Sequence, residues 1–222
     1  MQAVRTVLEV TSEARLGPGV SLAERFSLPG FVMQFARNEE IFGEEEEADF
    51  VYKLISGVVR TVRILRDGRR QITDFQFAGE VFGFEVGHSH RFSAEAVTDC
   101  QVALIRRSAV NKAADQDMGA SQALWAMASR DLTRLQEHVM LLGRKNASER
   151  VGGFLLDMAE RTGGGRAVEL PMSRTDMADY LGLTIETVSR TLTQMERDGI
   201  IGMPTCRRIE LRDRGALGRL DL

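Results

Sequence analysis

Residues 172–201, MSRTDMADYLGLTIETVSRTLTQMERDGII, constrain the fold of this chain more than any other stretch. Ser173 followed three places later by Asp176 is a helix start, with a hydroxyl and a carboxylate placed to satisfy orphan backbone amides. Ala178, Gly182 and Val188 fall where two steeply crossing helices need a small contact, a tight turn and an apolar anchor. Thr184 then caps a second helix, and Val188, Leu192 and Met195, spaced four and three, make its buried stripe. Glu186, Ser189, Arg190, Thr193 and Arg197 share the opposite face. Arginine can bind guanine through two hydrogen bonds, and glutamate can accept from the cytosine amino group. Two readings follow: an amphipathic helical hairpin with a solvated face, or a helix-turn-helix whose second helix enters the DNA major groove.

The flanks extend the motif. A further helix is expected from Ser148 to Arg161, with Val151, Phe154, Leu155 and Met158 on its inner face, ended by Thr162-Gly163-Gly164-Gly165. After the second motif helix, Ile200-Ile201-Gly202 and Arg207-Arg208-Ile209-Glu210-Leu211 read as the two strands of a wing. A domain boundary is therefore expected near residue 146.

Upstream, residues from about 28 to 107 alternate apolar and polar positions between glycine turns. Asp67-Gly68 sits between two such runs, a strong hairpin signal. Many short strands with regular turns suggest a small antiparallel barrel or roll. The run Glu44–Glu47 reads as a solvated loop. From Met118 to about Arg144 the period changes. Trp125, Ala128, Leu132, Leu135, Val139 and Leu142 are spaced three, four, three, four, three, a heptad seam suited to a parallel dimer helix. Leu124, Met127 and Leu141 form a second apolar set that could pack on the roll of the same chain. The spacing also suits a long helix buried within its own domain, but two helix-turn-helix units on a palindrome require a dimer.

Composition sets the remaining bounds. The 222 residues are enough for two domains, and 43% apolar with 27% charged residues is that of a globular protein. No apolar run approaches the roughly 20 residues that span a bilayer, and MQAVRTVLEVTSEARLG lacks a secretory signal core. A cytoplasmic location without membrane contact is expected. The net charge of −3 averages an acidic front and a balanced rear: 17 Lys+Arg against 20 Asp+Glu in residues 1–144, 12 against 12 in 145–222. DNA binding needs a local basic patch rather than a basic protein. Cys100 and Cys206 form no metal-ligand spacing and read as free thiols, one of them buried; Cys206 in the wing is a candidate for oxidation that alters binding. With three histidines (His88, His90, His138) and no paired nucleophile, neither an enzyme nor a metal site is expected.

The order of parts, together with DGRRQITDF, AGEVFGFE, AEAVTDC and DYLGLTIETVSRTLTQMERDGII, resembles the CRP/FNR superfamily of bacterial transcription regulators over essentially the whole chain. Within it, these stretches look like the FixK/FNR branch. The resemblance implies an α+β fold. An N-terminal antiparallel β-roll, cupin-like and cyclic-nucleotide-binding-like, would span residues 1–115. A dimerisation helix would follow over 116–145 and a winged helix-turn-helix over 146–222. It assigns base reading to Glu186, Ser189 and Arg190. Ile185 stands where cyclic-AMP-responsive relatives carry a base-contacting arginine; it cannot donate a hydrogen bond, which favours TTGA half-sites over TGTGA. Ser173, Arg174, Thr184 and Thr187 match positions that touch the phosphate backbone.

Departures from the pattern narrow the function. Cyclic-nucleotide binders of the superfamily hold the ribose with a Gly-Glu-Leu turn and the cyclic phosphate with an Arg-Ser pair. Here Gly83 is followed by Phe84, and Phe92 separates Arg91 from Ser93. A buried phosphate without its arginine carries a large unpaired-charge penalty, so no cyclic nucleotide is expected. Residues 1–99 contain no cysteine, which removes the iron–sulfur cluster of FNR-type sensors. The expected protein is a FixK-like homodimer without cofactor that binds a double-stranded palindromic operator. It recruits RNA polymerase through loops around Arg161–Arg166 and acts mainly as an activator in microaerobic gene control. The alternative is a regulator gated by an unrecognised effector, or by haem on His88 or His90.

Overall fold

A computed structural model describes residues 8–9 and 30–221, so the expectation about the N-terminal signal lies outside the described residues. The chain divides into two compact units. The first takes residues up to Gly68 and Thr73–Leu132; the second takes Arg69–Ile72 and Thr133–Leu222.

The first unit is the expected antiparallel roll. One sheet has the order β1-β2-β9-β4-β7, formed by Leu8–Glu9, Gly30–Phe35, Cys100–Arg106, Phe50–Ser56 and Val81–Phe82. The other has the order β3-β8-β5-β6, formed by Glu40–Phe42, Ser93–Ala96, Val58–Ile64 and Arg70–Phe77, of which Arg70–Ile72 is counted with the second unit. The turn at Asp67-Gly68 joins β5 to β6, with Gly68 at φ +82°. Alternation along the strands sends Phe35, Tyr52, Leu54, Val59, Val102 and Leu104 inward to one core. Cys100 is part of that core, whereas Cys206 is exposed, as two free thiols of which one is buried. The acidic loop is held locally: Glu44 pairs with Arg63 at 2.9 Å, and Glu46 accepts from the Gly43 amide at 3.0 Å.

Helix α1 (Arg107–Gln116) leaves the roll, and α2 (Met118–Arg144) is the long helix. Leu124 and Met127 pack against Val51, Val81, Ile105 and Val110, as the second apolar set required. Leu141 lies in the other unit, half-buried. Trp125, Leu132, Leu135 and Val139 are 76%, 56%, 52% and 68% exposed, Ala128 is exposed and Leu142 half-buried. A single chain thus leaves most of the seam uncovered. None of the described helices is long and apolar enough to cross a membrane.

His90 is the buried histidine of the roll. It is 2% exposed and stacks on Phe42 with ring centroids 3.7 Å apart, and neither ring nitrogen has a hydrogen-bond partner. Burial pushes its pKa below the ordinary value; Glu85 and Glu46 oppose the shift and Arg107 adds to it. Because the folded value lies below the unfolded one, this group's contribution is complete above the unfolded pKa of about 6.5 and is lost as pH falls below it. The urea midpoint of the wild-type protein is expected to fall between pH 7.5 and 5.5 more steeply than that of His90→Phe, which keeps the ring stack and removes the titration. Parallel profiles for the two proteins would show that His90 is not the group responsible.

The second unit is a three-helix core with a small sheet. Helix α3 (Ala147–Arg161) is capped by Asn146, which forms a reciprocal capping box with Glu149. It buries Val151, Phe154, Leu155 and Met158, the predicted face. Strand β10 (Ala167–Glu169) is followed by α4 (Arg174–Leu181) and α5 (Ile185–Arg197), then by β11 (Ile201–Gly202), β12 (Arg208–Leu211) and α6 (Arg214–Asp221). The sheet order is β10-β12-β11, so the expected two-stranded wing has a third strand.

Candidate nucleic-acid interface

The ends of α4 and α5 are set by the residues that the sequence singles out. Ser173 accepts from the Asp176 amide and Asp176 accepts from the Ser173 amide, a complete capping box. Helix α4 stops at Gly182, which adopts φ +61° and ψ +39° and donates its amide to the Ala178 carbonyl. An L-residue in that left-handed conformation costs about 1–2 kcal/mol. A Cβ there would also lie 3.3 Å from Leu142 Cδ2. Gly182→Ala is therefore expected to lower stability by roughly that amount, read as a lower urea midpoint; an unchanged midpoint would mean that the turn relaxes freely. Thr184 starts α5 by accepting the Thr187 amide at 3.2 Å.

Helix α5 buries Val188, Leu192 and Met195, with Thr191 beside them. Thr191 is the one buried position of this helix that the apolar stripe did not mark. The other face carries Glu186, Ser189, Arg190, Thr193 and Arg197, all exposed. Ile185, at the first position, is 41% exposed. The Glu186 carboxyl is held below the usual carboxylate range, first by its own backbone amide, then by the Thr184 hydroxyl, with the Arg190 charge a smaller influence. It is thus a fixed anion, able only to accept. Arg190, one turn further on, rests on Thr187 through a long 3.4 Å contact from Nη2 to Oγ1, which a stronger acceptor can displace. An acceptor-only group, a hydroxyl and a five-donor fork on one exposed ridge are the donors and acceptors that base edges can pair with.

The four residues expected at the phosphate backbone divide into two pairs. Thr187 is half-buried and Thr184 exposed, at the N-terminus of α5, where helix amides favour an anion. Ser173 and Arg174 are engaged inside the domain. The Ser173 hydroxyl contacts Asp176 Oδ2 at 2.8 Å, and Arg174 Nη2 donates to the Cys206 carbonyl at 3.1 Å.

Several residues that hold this site gave no signal in the sequence. Arg150 donates to the Leu181 carbonyl from Nη1 at 2.9 Å and to the Leu142 carbonyl from Nη2 at 2.8 Å, so one guanidinium closes the ends of two helices. His138 is buried, stacks on Tyr180 at 4.1 Å and lies 2.9 Å through Nε2 from its carbonyl. Within the same unit, Arg70 pairs with Asp176 at 2.6 Å and with Asp179 at 2.7 Å. A buried carboxylate such as that of Asp176 requires such a partner. Long-range side-chain partners of this kind leave no periodicity to read.

Comparison with known proteins agrees with this geometry. Residues 149–220 match a Crp-like helix-turn-helix domain, and residues 32–117 match a cyclic nucleotide-binding domain. A nitrogen fixation regulation protein FixK from Azorhizobium caulinodans is 54% identical over 192 residues, 84% of this chain and 77% of that protein. The chain belongs to the CRP/FNR family. A FixK from Rhizobium meliloti is 41% identical over 192 residues, 86% of this chain and 88% of the relative. The solved structure of FixK2 from Bradyrhizobium japonicum superposes with a TM-score of 0.84 at 47% identity, over 87% of this chain and 98% of that one. The protein is thus a FixK-like transcription regulator with a helix-turn-helix DNA-binding domain, and not an enzyme.

The roll matches a cyclic nucleotide-binding domain, and its sequence departs from the nucleotide-holding pattern at the turn after Gly83. Phe84, which follows Gly83, is 37% exposed. Arg91 donates to Glu85 through both its backbone amide (3.0 Å) and Nε (2.9 Å). Arg107 pins the same loop through the carbonyls of Glu85 and Gly87. Both arginines of this loop are therefore already engaged within the roll.

Proposed function

We propose that this regulator binds TTGA-type palindromes as a homodimer, reads them without a cyclic nucleotide, and acts mainly as an activator by recruiting RNA polymerase in microaerobic, oxygen-linked gene control. The observation that carries this reading is the exposed ridge of Glu186, Ser189 and Arg190 on a helix whose opposite face is fixed in the core. Base contacts by Glu186, Ser189 and Arg190 choose the sequence; Thr184, Thr187 and the surroundings of Ser173 and Arg174 hold the register. The aliphatic Ile185 favours TTGA over TGTGA.

Pairing of two chains along Trp125, Ala128, Leu132, Leu135, Val139 and Leu142 covers the exposed seam. It sets two recognition helices in major grooves about 34 Å apart. On this reading the chain works as three parts, a roll to residue 115, a dimerisation helix over 116–145 and the winged domain from 146. Bending the DNA so that flanking phosphates meet the protein costs on the order of 1–6 kcal/mol. Polymerase is met at surface loops such as Arg161–Arg166, and the protein works in the cytoplasm. The names of its FixK relatives support a role in nitrogen fixation or the respiration linked to it. Run-off transcription with purified protein and polymerase tests the reading. A TTGA palindrome upstream of the promoter should raise transcript yield without added nucleotide; no change, or a strict need for cyclic AMP, would reject it.

One observation favours a second reading, in which the roll takes an effector or haem: the unpartnered ring nitrogens of His90. Titration of haem followed by its visible absorption band, and calorimetry with candidate effectors, distinguish that reading from the constitutive one.

A further inference from the structure

Strand β12 of the wing is held along β10, with Arg208 opposite Glu169 and 3.7 Å from its carboxylate, whereas the turn between β11 and β12 has fewer ties to the rest of its domain. The β11–β12 ladder pairs Ile201 with Leu211 and Gly202 with Glu210, and the turn between the strands extends beyond it. Within that turn, Thr205 Oγ1 accepts the amides of Arg207 and Arg208 at 3.3 and 3.0 Å. Hydrogen bonds that lead outward from this turn include the Met203 amide to Glu196 Oε1 (2.9 Å), the Leu170 amide to the Arg207 carbonyl (2.8 Å), and Arg174 to the Cys206 carbonyl.

Arg174 differs from the other arginines around the reading helix. Arg190, Arg197, Arg207 and Arg208 are exposed, whereas Arg174 is half-buried. Its guanidinium lies among the Met177 sulfur (3.5 Å from Nη1), the Met203 sulfur (3.7 Å from Nη2) and the Cys206 carbonyl (3.1 Å from Nη2). Two thioethers and a carbonyl supply packing and one good acceptor, with no carboxylate among these contacts and only Cys206 opposing the effect of burial. Burial accordingly lowers its pKa from the usual arginine value. A guanidinium that grips phosphate gains from standing in solvent until the anion arrives. This one is spent on the inside of the wing, at the first position of α4.

Resting on the DNA-binding reading above, we propose that Arg174 is a positioning residue. It ties the wing turn to α4 through the Cys206 carbonyl and so sets where Thr205, Arg207 and Arg208 meet the DNA backbone, rather than holding a phosphate itself. The identity of the half-site remains the task of α5, and Arg174 governs the sequence-independent part of the affinity.

The exposed Cys206 thiol provides a reporter beside the tie, since Cys100 is buried. A trifluoromethyl label on Cys206 is followed by fluorine NMR in DNA-free wild type, Arg174→Met and Arg174→Gln; thermal melting of each establishes that it is folded, and either variant suffices. The label resonance is expected to shift and narrow in the variants. A double-mutant cycle then measures DNA affinity. Arg174→Met should weaken binding about tenfold in the wild-type background and less than about twofold when Arg207 and Arg208 are already alanine, because residues acting through one another are not additive. An unmoved label overturns the proposal, and so does a loss that is the same in both backgrounds, the behaviour of an independent phosphate contact. If the label moves but the wild type shows no specific DNA binding, the tie stands and the DNA-binding reading fails.

Discussion

Replacing Arg190 by alanine is expected to lower affinity for a TTGA palindrome by roughly 30-fold to 10⁴-fold, at about 1–3 kcal/mol per bidentate contact counted twice in the dimer. The fork of Arg190 stands exposed on α5 with only a 3.4 Å contact to Thr187 to give up, so little is lost when it turns to a base. The fold has no stake in the side chain: it is exposed, and the helix is held by Val188, Thr191, Leu192 and Met195. Melting temperature and dimer content should therefore match wild type while binding falls to the level of random DNA. Titration by fluorescence anisotropy against specific and scrambled duplexes decides the matter. Retained preference for TTGA in the variant would take Arg190 out of the reading set.

Leu135→Glu is expected to leave a folded monomer. Leu135 is half exposed in the single chain and lies in the middle of the proposed seam, so on that reading its side chain serves pairing rather than the domain core. Closing the seam over a glutamate would bury an unpaired charge in each chain, at about 3–5 kcal/mol for each. Loss of the second half-site removes the gain of linked binding, which is commonly 10²–10⁴-fold in affinity. Sedimentation should show a monomer at concentrations where wild type is a dimer, with circular dichroism unchanged. A variant that sediments like wild type would place the dimer contact elsewhere.

The elements that could be read from the sequence are those that repeat a period or spend a special residue. The seam, the inner face of α3 and the stripe of α5 each show three or more apolar positions at helical spacing. Ser173, Thr184, Gly182 and Asp67-Gly68 mark ends and turns by their chemistry. Short elements escaped: β10 has three residues, α6 eight, and α1 carries a single buried residue, Val110, so none builds a pattern. Arg150, His138 and Arg70 each have a partner between 31 and 109 positions away, which spacing cannot show. Arg174 illustrates a different limit. Its motif position suggests a phosphate contact, and only the packing of Met177, Met203 and Cys206 around it reveals an inward guanidinium. Likewise, the sequence offers His90 and His88 as equal candidates for a haem ligand, while the fold buries His90 on Phe42 and leaves His88 exposed.

This protein is expected to select its operator through α5 and to need no nucleotide to do so. Fluorescence anisotropy of the purified protein on TTGA and TGTGA palindromes, at two salt concentrations and with and without cyclic AMP, tests both halves together. The account predicts a tight preference for TTGA that persists at the higher salt and is indifferent to cyclic AMP. Preference for TGTGA, or specific binding that begins only when a small molecule is added, would contradict it.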